Sequence, residues 1–147
     1  MADKATIMRE FVQALANADA DKMSSFVTDD SVWAGPGFNY KGKEGIKNYI
    51  KAMSQSIKEV KVTESGNGII VNGDKSFFEH VISGTYQGKK FEYLAMCAYE
   101  FSGDKIKAVR TTSDRLGLAQ QVVGGWFPKW MVNTIVNQVE KPFRSSK

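Results

Sequence analysis

The segment KKFEYLAMCAYEFSGDKIKAVRTTSD, Lys89 to Asp114, holds two period-two runs around a Gly-Asp turn, the pattern of an antiparallel hairpin. In the first run Phe91, Tyr93, Ala95, Cys97, Tyr99 and Phe101 share one face, and Glu92, Leu94, Met96, Ala98 and Glu100 share the other. Both faces are apolar from Leu94 to Ala98, whereas a sheet covered on one side only carries polar residues on its open face. The second face therefore calls for a cover, for which a partner subunit is the expectation. In the second run Ile106 and Ala108 suit an interior better than Lys105 and Lys107 do. For a strand with no bulge, Arg110, Thr112 and Asp114 then point inward with them. An inward charge costs several kcal/mol unless it is paired or solvated by a cavity.

Upstream, EVKVTESG, GIIVNGD and KSFFEHVISGTYQG read as further strands, separated by Gly-Asn, Asn-Gly-Asp and Gln-Gly turn signals. Before them the period is helical. Ile7, Phe11, Leu15 and Ala18 recur at three- and four-residue steps behind a candidate cap, Asp3. A short helix is expected over 21–27, then a hairpin turning at Gly35-Pro36-Gly37, then a helix over 43–56 with Ile46, Tyr49, Ile50 and Met53 in one stripe. Helices first and a meander of strands afterwards is an α+β pattern.

A chain of 147 residues fits one domain. It buries roughly two thirds of its unfolded surface on folding. Its 42% hydrophobic and 24% charged residues suit a soluble globular protein. No run approaches the ~18 apolar residues of a membrane span. The opening MADKATIMREF is charged and lacks an apolar core, so it does not read as a secretory signal. A single cysteine, Cys97, excludes an intrachain disulfide and a multi-cysteine metal site, and a cytoplasmic protein is expected. Most of the net charge of +4 comes from Lys129, Lys141, Arg144 and Lys147 near the C-terminus. That is a basic tail, not the basic stripe across a folded body that nucleic acid requires, so no nucleic-acid partner is expected, nor a stable membrane association.

KGKEGIKNYIKAM (residues 41–53), SGDKIKAVRTTSD (102–114) and DRLGLAQQ (114–121), in this order of elements, resemble the SnoaL-like polyketide cyclase branch of the nuclear transport factor two superfamily. The resemblance implies a cone-shaped α+β fold. A strongly curved antiparallel or mixed sheet and three helices from the N-terminal half would enclose an aromatic-lined pocket, with an extra C-terminal helix. Residues 1–125 would form that domain, and 126–147 a helical extension with its tail. Homodimers are implied as common. In cyclases of this branch an aspartate ending the last long strand is general acid and base on a polycyclic ketone, with no metal or organic cofactor; the matching residue is Asp114. Where the family often has aromatic or histidine residues before that aspartate, this chain has Thr111, Thr112 and Ser113. Ketosteroid isomerases place an aspartate base in the early hairpin, where Trp33 stands here. Epoxide hydrolases surround an arginine with two aspartates, but the near neighbours of Arg110 in the strand include Thr111 and Thr112 and no aspartate partner is evident.

The expected function is a cofactor-independent acid–base enzyme of cyclase, isomerase or hydrolase type, acting on a small apolar carbonyl compound. Asp114 would move the proton, Arg110 would steady the oxyanion, and His80, the only histidine, would assist. Trp33, Phe78, Phe91, Tyr93 and Thr112 would line the pocket. Each residue has a plainer alternative: Asp114 as a helix N-cap, Arg110 as an ion-pair partner of Glu79 or Glu92, and His80 and the aromatics as core. The competing functions are a non-catalytic carrier or sensor of an apolar ligand and a protein-interaction module. The segment from Trp126, with Phe127, Trp130, Met131 and Ile135 at helical spacing, is expected to pack on its own domain or on a second subunit, the alternatives being a lid over the pocket or a membrane-surface helix.

Overall fold

Helix α1 (Lys4–Ala16) begins where Asp3 accepts the Thr6 N–H and buries Ile7, Met8, Phe11, Val12 and Leu15, the apolar stripe of its sequence. The chain continues through α2 (Ala20–Ser25), β1 (Val27–Gly35), β2 (Phe38–Lys41), α3 (Gly42–Ser56), β3 (Ile57–Asn72), β4 (Lys75–Tyr86), β5 (Lys89–Ser102), β6 (Lys105–Ser113), α4 (Arg115–Val122) and α5 (Trp126–Glu140). These elements come from a computed structural model that describes residues 3–141. Arg144 and Lys147 of the basic tail lie outside the described residues.

The fold is α+β, and its six strands form one mixed sheet in the order β2-β1-β6-β5-β4-β3. All neighbours are antiparallel except β1 and β6, which run parallel. Helix α1 packs on β3, and α3 on α2, β1 and β2. Between helices and sheet lies the core, with Phe11, Trp33, Ile46, Ile50, Phe78, Cys97 and Tyr99 all buried.

Two strands depart from the sequence expectation. EVKVTESG and GIIVNGD are not separate strands but one, β3, with a pairing irregularity between Glu64 and Ile69. Gly66 and Gly68 take positive φ there. The Glu79 carboxylate accepts the Asn67 backbone N–H at 3.1 Å. A Cβ on Gly66 would collide with that carboxylate, so the bend needs glycine for both its dihedral and its space.

The second departure is in β6. Glu100 pairs with Ala108 and Phe101 with Ile106, leaving Lys107 as an extra residue, a bulge. The bulge shifts the alternation by one. Ile106, Val109 and Thr111 face the helices, while Ala108, Arg110 and Thr112 face the other side. The expectation that Arg110 and Thr112 point inward is thereby corrected. β5 keeps its expected facing: Phe91, Ala95, Cys97, Tyr99 and Phe101 are buried, and Leu94 on the opposite face is 41% exposed.

Candidate functional site

Arg110 lies on the outer face and pairs with Glu100 at 2.7 Å. The guanidinium holds that carboxyl below the usual carboxylate range. The partner is neither Glu79 nor Glu92, because the bulge sets Glu100 opposite Ala108, diagonal to Arg110. Thr112, exposed on the same face, is no pocket residue. Asp114 is exposed at the start of α4, and its carboxylate accepts the Gly117 N–H at 2.8 Å. It therefore serves as an N-cap in the geometry seen here and does not project into the interior. His80 is on the inner face, 2% exposed, with its ring 4.5 Å from that of Phe78. The structure thus does not bring Arg110, Asp114 and His80 together: the arginine and the histidine are on opposite faces of the sheet.

Trp33 and Phe78 are core. Trp33 is in contact with Phe11, Phe38 and Tyr49, the last at 4.7 Å between ring centroids. Its indole N–H donates to Thr111 Oγ1 at 2.8 Å, and that hydroxyl lies 3.2 Å from Cys97 Sγ. Burial pushes the Cys97 thiol up to about 11, so it stays protonated and unreactive at neutral pH. The polar line Trp33–Thr111–Cys97 depends on the register that the bulge sets. Thr111→Val should leave the indole N–H unpartnered and cost about 1–3 kcal/mol in urea unfolding. Arg110→Ala, on the solvated side, should leave the unfolding midpoint essentially unchanged.

The apolar cleft lies elsewhere, at the end of the sheet beyond β6. It measures about 490 Å³ and is walled by Ile57, Tyr86 and Phe91 on one side and by Leu118, Ala119, Val122 and Val123 on the other. Of the expected pocket residues Phe91 lines it. Tyr93 stacks on Phe91 with centroids 5.8 Å apart, and burial raises the pKa of its phenol. Helix α4 is held over β5 by an amide clamp: Gln121 accepts the Glu92 N–H and donates to the Glu92 carbonyl, both at 2.8 Å. Here β5 has run past the end of β6, and the Gln121 side chain takes up the main-chain groups that a neighbouring strand would have satisfied. A larger depression nearby, of about 590 Å³, is lined by Glu59, Lys61, Lys90 and Glu92. It is a charged, solvated surface and offers little apolar burial.

Arg115 is the residue that reasoning from sequence missed. It lines the cleft, and its guanidinium donates to the Pro36 carbonyl in the β1–β2 turn. The signal was present: Arg115, Leu118, Ala119 and Val122 stand at the i, i+3, i+4, i+7 spacing of a single helix face. Among the described residues no cluster of three or more histidine, cysteine or acidic side chains could hold a metal ion.

A model of the SnoaL-like domain family matches residues 8–109. No curated protein matches the sequence. Several solved structures share the fold. A hypothetical protein from Catenulispora acidiphila with a ketosteroid isomerase-like fold, solved with trimethylamine, is 18% identical; the alignment covers 78% of this chain and 90% of that one, with a TM-score of 0.73. A LEH-like epoxide hydrolase from M. tuberculosis is 16% identical over 94% of this chain and 96% of its own, with a TM-score of 0.69. An NTF2-like protein from Burkholderia thailandensis is 19% identical over 84% and 100%, with a TM-score of 0.73.

Proposed function

This chain belongs to the SnoaL-like domain family, and from that premise we propose that it binds a small, mostly apolar organic molecule in the cleft between α4 and the β4–β5 turn. The observation that carries the reading is the cleft itself: about 490 Å³, within the range of roughly 300–1,000 Å³ typical of ligand pockets, with apolar walls contributed by Phe91, Leu118 and Val122. Filling it is the test. Leu118→Trp, checked by circular dichroism to be folded, should weaken binding of the neutral dye Nile red about tenfold or more. Unchanged affinity would remove the cleft as the site.

A narrower reading adds catalysis: cofactor-independent acid–base chemistry on a carbonyl compound, with Asp114 as proton carrier. It is supported by the place of Asp114 in the chain, next to Arg115, which lines the cleft. One of the structural relatives is described as an epoxide hydrolase. Oδ1 of Asp114 holds the Gly117 N–H, which leaves Oδ2 to carry the proton. Asn caps about as well as Asp, so Asp114→Asn should keep the fold and abolish exchange of α-protons for deuterium in enolisable aryl ketones, followed by NMR. Exchange persisting within a few-fold of wild type ends the catalytic role of Asp114.

A homodimer is proposed on separate grounds. Helix α5 exposes Trp126, Phe127, Trp130, Met131, Ile135 and Val139, with Trp126 84% exposed. Large aromatic side chains carry about 150–250 Å² each, so the exposed parts of these three alone supply a few hundred Å² of the ~800 Å² per partner of a standard interface. A second copy of the chain would cover it. Trp126→Gln with Trp130→Gln should then convert a dimer to a monomer in light scattering. A wild-type monomer at tens of micromolar overturns the proposal.

A further inference from the structure

We propose that the cleft selects a molecule with a carboxylate at one end of an apolar body, and that Arg115 receives that carboxylate. This deepens the reading of the cleft as a small-molecule site and rests on it. Arg115 is the only charged side chain among the described residues that line the cleft. One of its N–H groups goes to the Pro36 carbonyl, which fixes the guanidinium across the gap from α4 to the β1–β2 turn. A guanidinium has five donors in a fork, so this contact orients it without exhausting it.

No salt bridge engages Arg115 among the described residues. Among the described residues the carboxylates of Asp21, Asp29, Glu64, Asp74 and Glu100 are each paired with another lysine or arginine. The nearest in sequence, Asp114, turns one carboxylate oxygen to the Gly117 N–H and forms no ion pair with Arg115. A cation at the mouth of an apolar cleft, with no acid among the lining residues, has a chemical complement: an anion that can accept two parallel N–H groups. From Arg115 the apolar wall continues along α4 through Leu118 and Val122 to Val123. That is about 12 Å at 1.5 Å per residue, room for a medium-length acyl chain or a fused-ring acid. At the far end Lys89, which is not a lining residue, donates one ammonium N–H to the Val123 carbonyl at 2.8 Å.

Calorimetric titration of the full chain with decanoate and with 1-decanol separates charge recognition from apolar burial. Wild type should bind decanoate about tenfold or more tightly than decanol, the scale of a charge-assisted hydrogen-bonded pair. Arg115→Gln should weaken decanoate binding about tenfold or more and so erase that preference. Arg115→Lys keeps the charge but loses the fork, and should restore only part of the preference. Equal affinities in wild type, or a preference that survives Arg115→Gln, overturn the assignment. The control for the underlying reading is Leu118→Trp. If it abolishes decanol binding while Arg115→Gln changes nothing, the cleft stands and the carboxylate proposal falls. If it leaves both affinities intact, the cleft is not the site and both readings fall.

Discussion

Trp33→Ala is expected to remove about 3–5 kcal/mol from the free energy of unfolding, the usual cost of deleting a large buried aromatic. Against a total of about 5–15 kcal/mol for a domain of this kind, that is a fifth of the stability or more. The reason is where the side chain sits. Trp33 is 5% exposed and is packed against rings from three elements: Phe11 of α1, Phe38 of β2 and Tyr49 of α3. Removing the indole leaves a void bordered by rings that cannot all collapse into it, and it takes away the donor that Thr111 Oγ1 accepts. Trp33→Phe separates the two effects. It keeps a ring and loses the N–H, and should cost less than half as much. Urea unfolding followed by circular dichroism measures both. Had Trp33 been the wall of an open cavity, Trp33→Ala would enlarge the cavity and cost little, so a loss below about 1 kcal/mol refutes its placement in the core.

The same residue shows where the sequence is legible and where it is not. Period and turn chemistry are local, and they located α1, α3, β4, β5, β6 and α5 well. Facing in β6 was not readable from a run such as KIKAVRTTS, because a bulge leaves the run of residue types unaltered while inverting everything after it. That single extra residue, Lys107, moved Arg110 and Thr112 to the outer face and brought Thr111 to Trp33. For β3 the error had the opposite sense: a Gly-rich stretch that signals a turn is here a bend within one strand, held by the Glu79 carboxylate. The cleft is a long-range feature. It exists because Gln121 clamps α4 onto the main chain of Glu92, 29 positions away, and no local pattern reports that approach. What was readable was the helix face of Arg115, Leu118 and Val122, obscured by the attention that an aspartate at a strand end attracts.

His80 should make the protein lose stability as the pH falls from 7 to 5, before the carboxylates titrate. The imidazole is buried on the inner face at 2% exposure, and its Nδ1 has no hydrogen-bond partner among the described residues. Burial disfavours the charged form and lowers its pKa from the ordinary 6.5, with only the Phe78 backbone acting the other way. Glu64 is opposite His80 in the β3–β4 register, but its carboxylate is held by Arg9 and is not free to support an imidazolium. The direction of the effect follows. Above pH 6.5 the histidine is neutral in both folded and unfolded chains and contributes no pH dependence. Below 6.5 the unfolded chain takes up a proton that the folded chain refuses, so the free energy of unfolding falls by up to about 1.4 kcal/mol per pH unit until the lowered folded pKa is reached. The carboxyls of Asp21, Asp29 and Glu100, held low by Lys47, Lys43 and Arg110, act in the same sense, but only at lower pH, as the ordinary carboxylate range is crossed. With one histidine in the chain, the window between pH 6.5 and 5 belongs to it. His80→Leu should therefore flatten the dependence of the melting temperature on pH in that window. Because it also removes a buried nitrogen without a partner, it should be no less stable than wild type at pH 7.5, within about 1 kcal/mol. A wild type whose melting temperature is level from pH 7 to 5, or a variant that keeps the wild-type slope, would mean that the imidazole is not held neutral in the core.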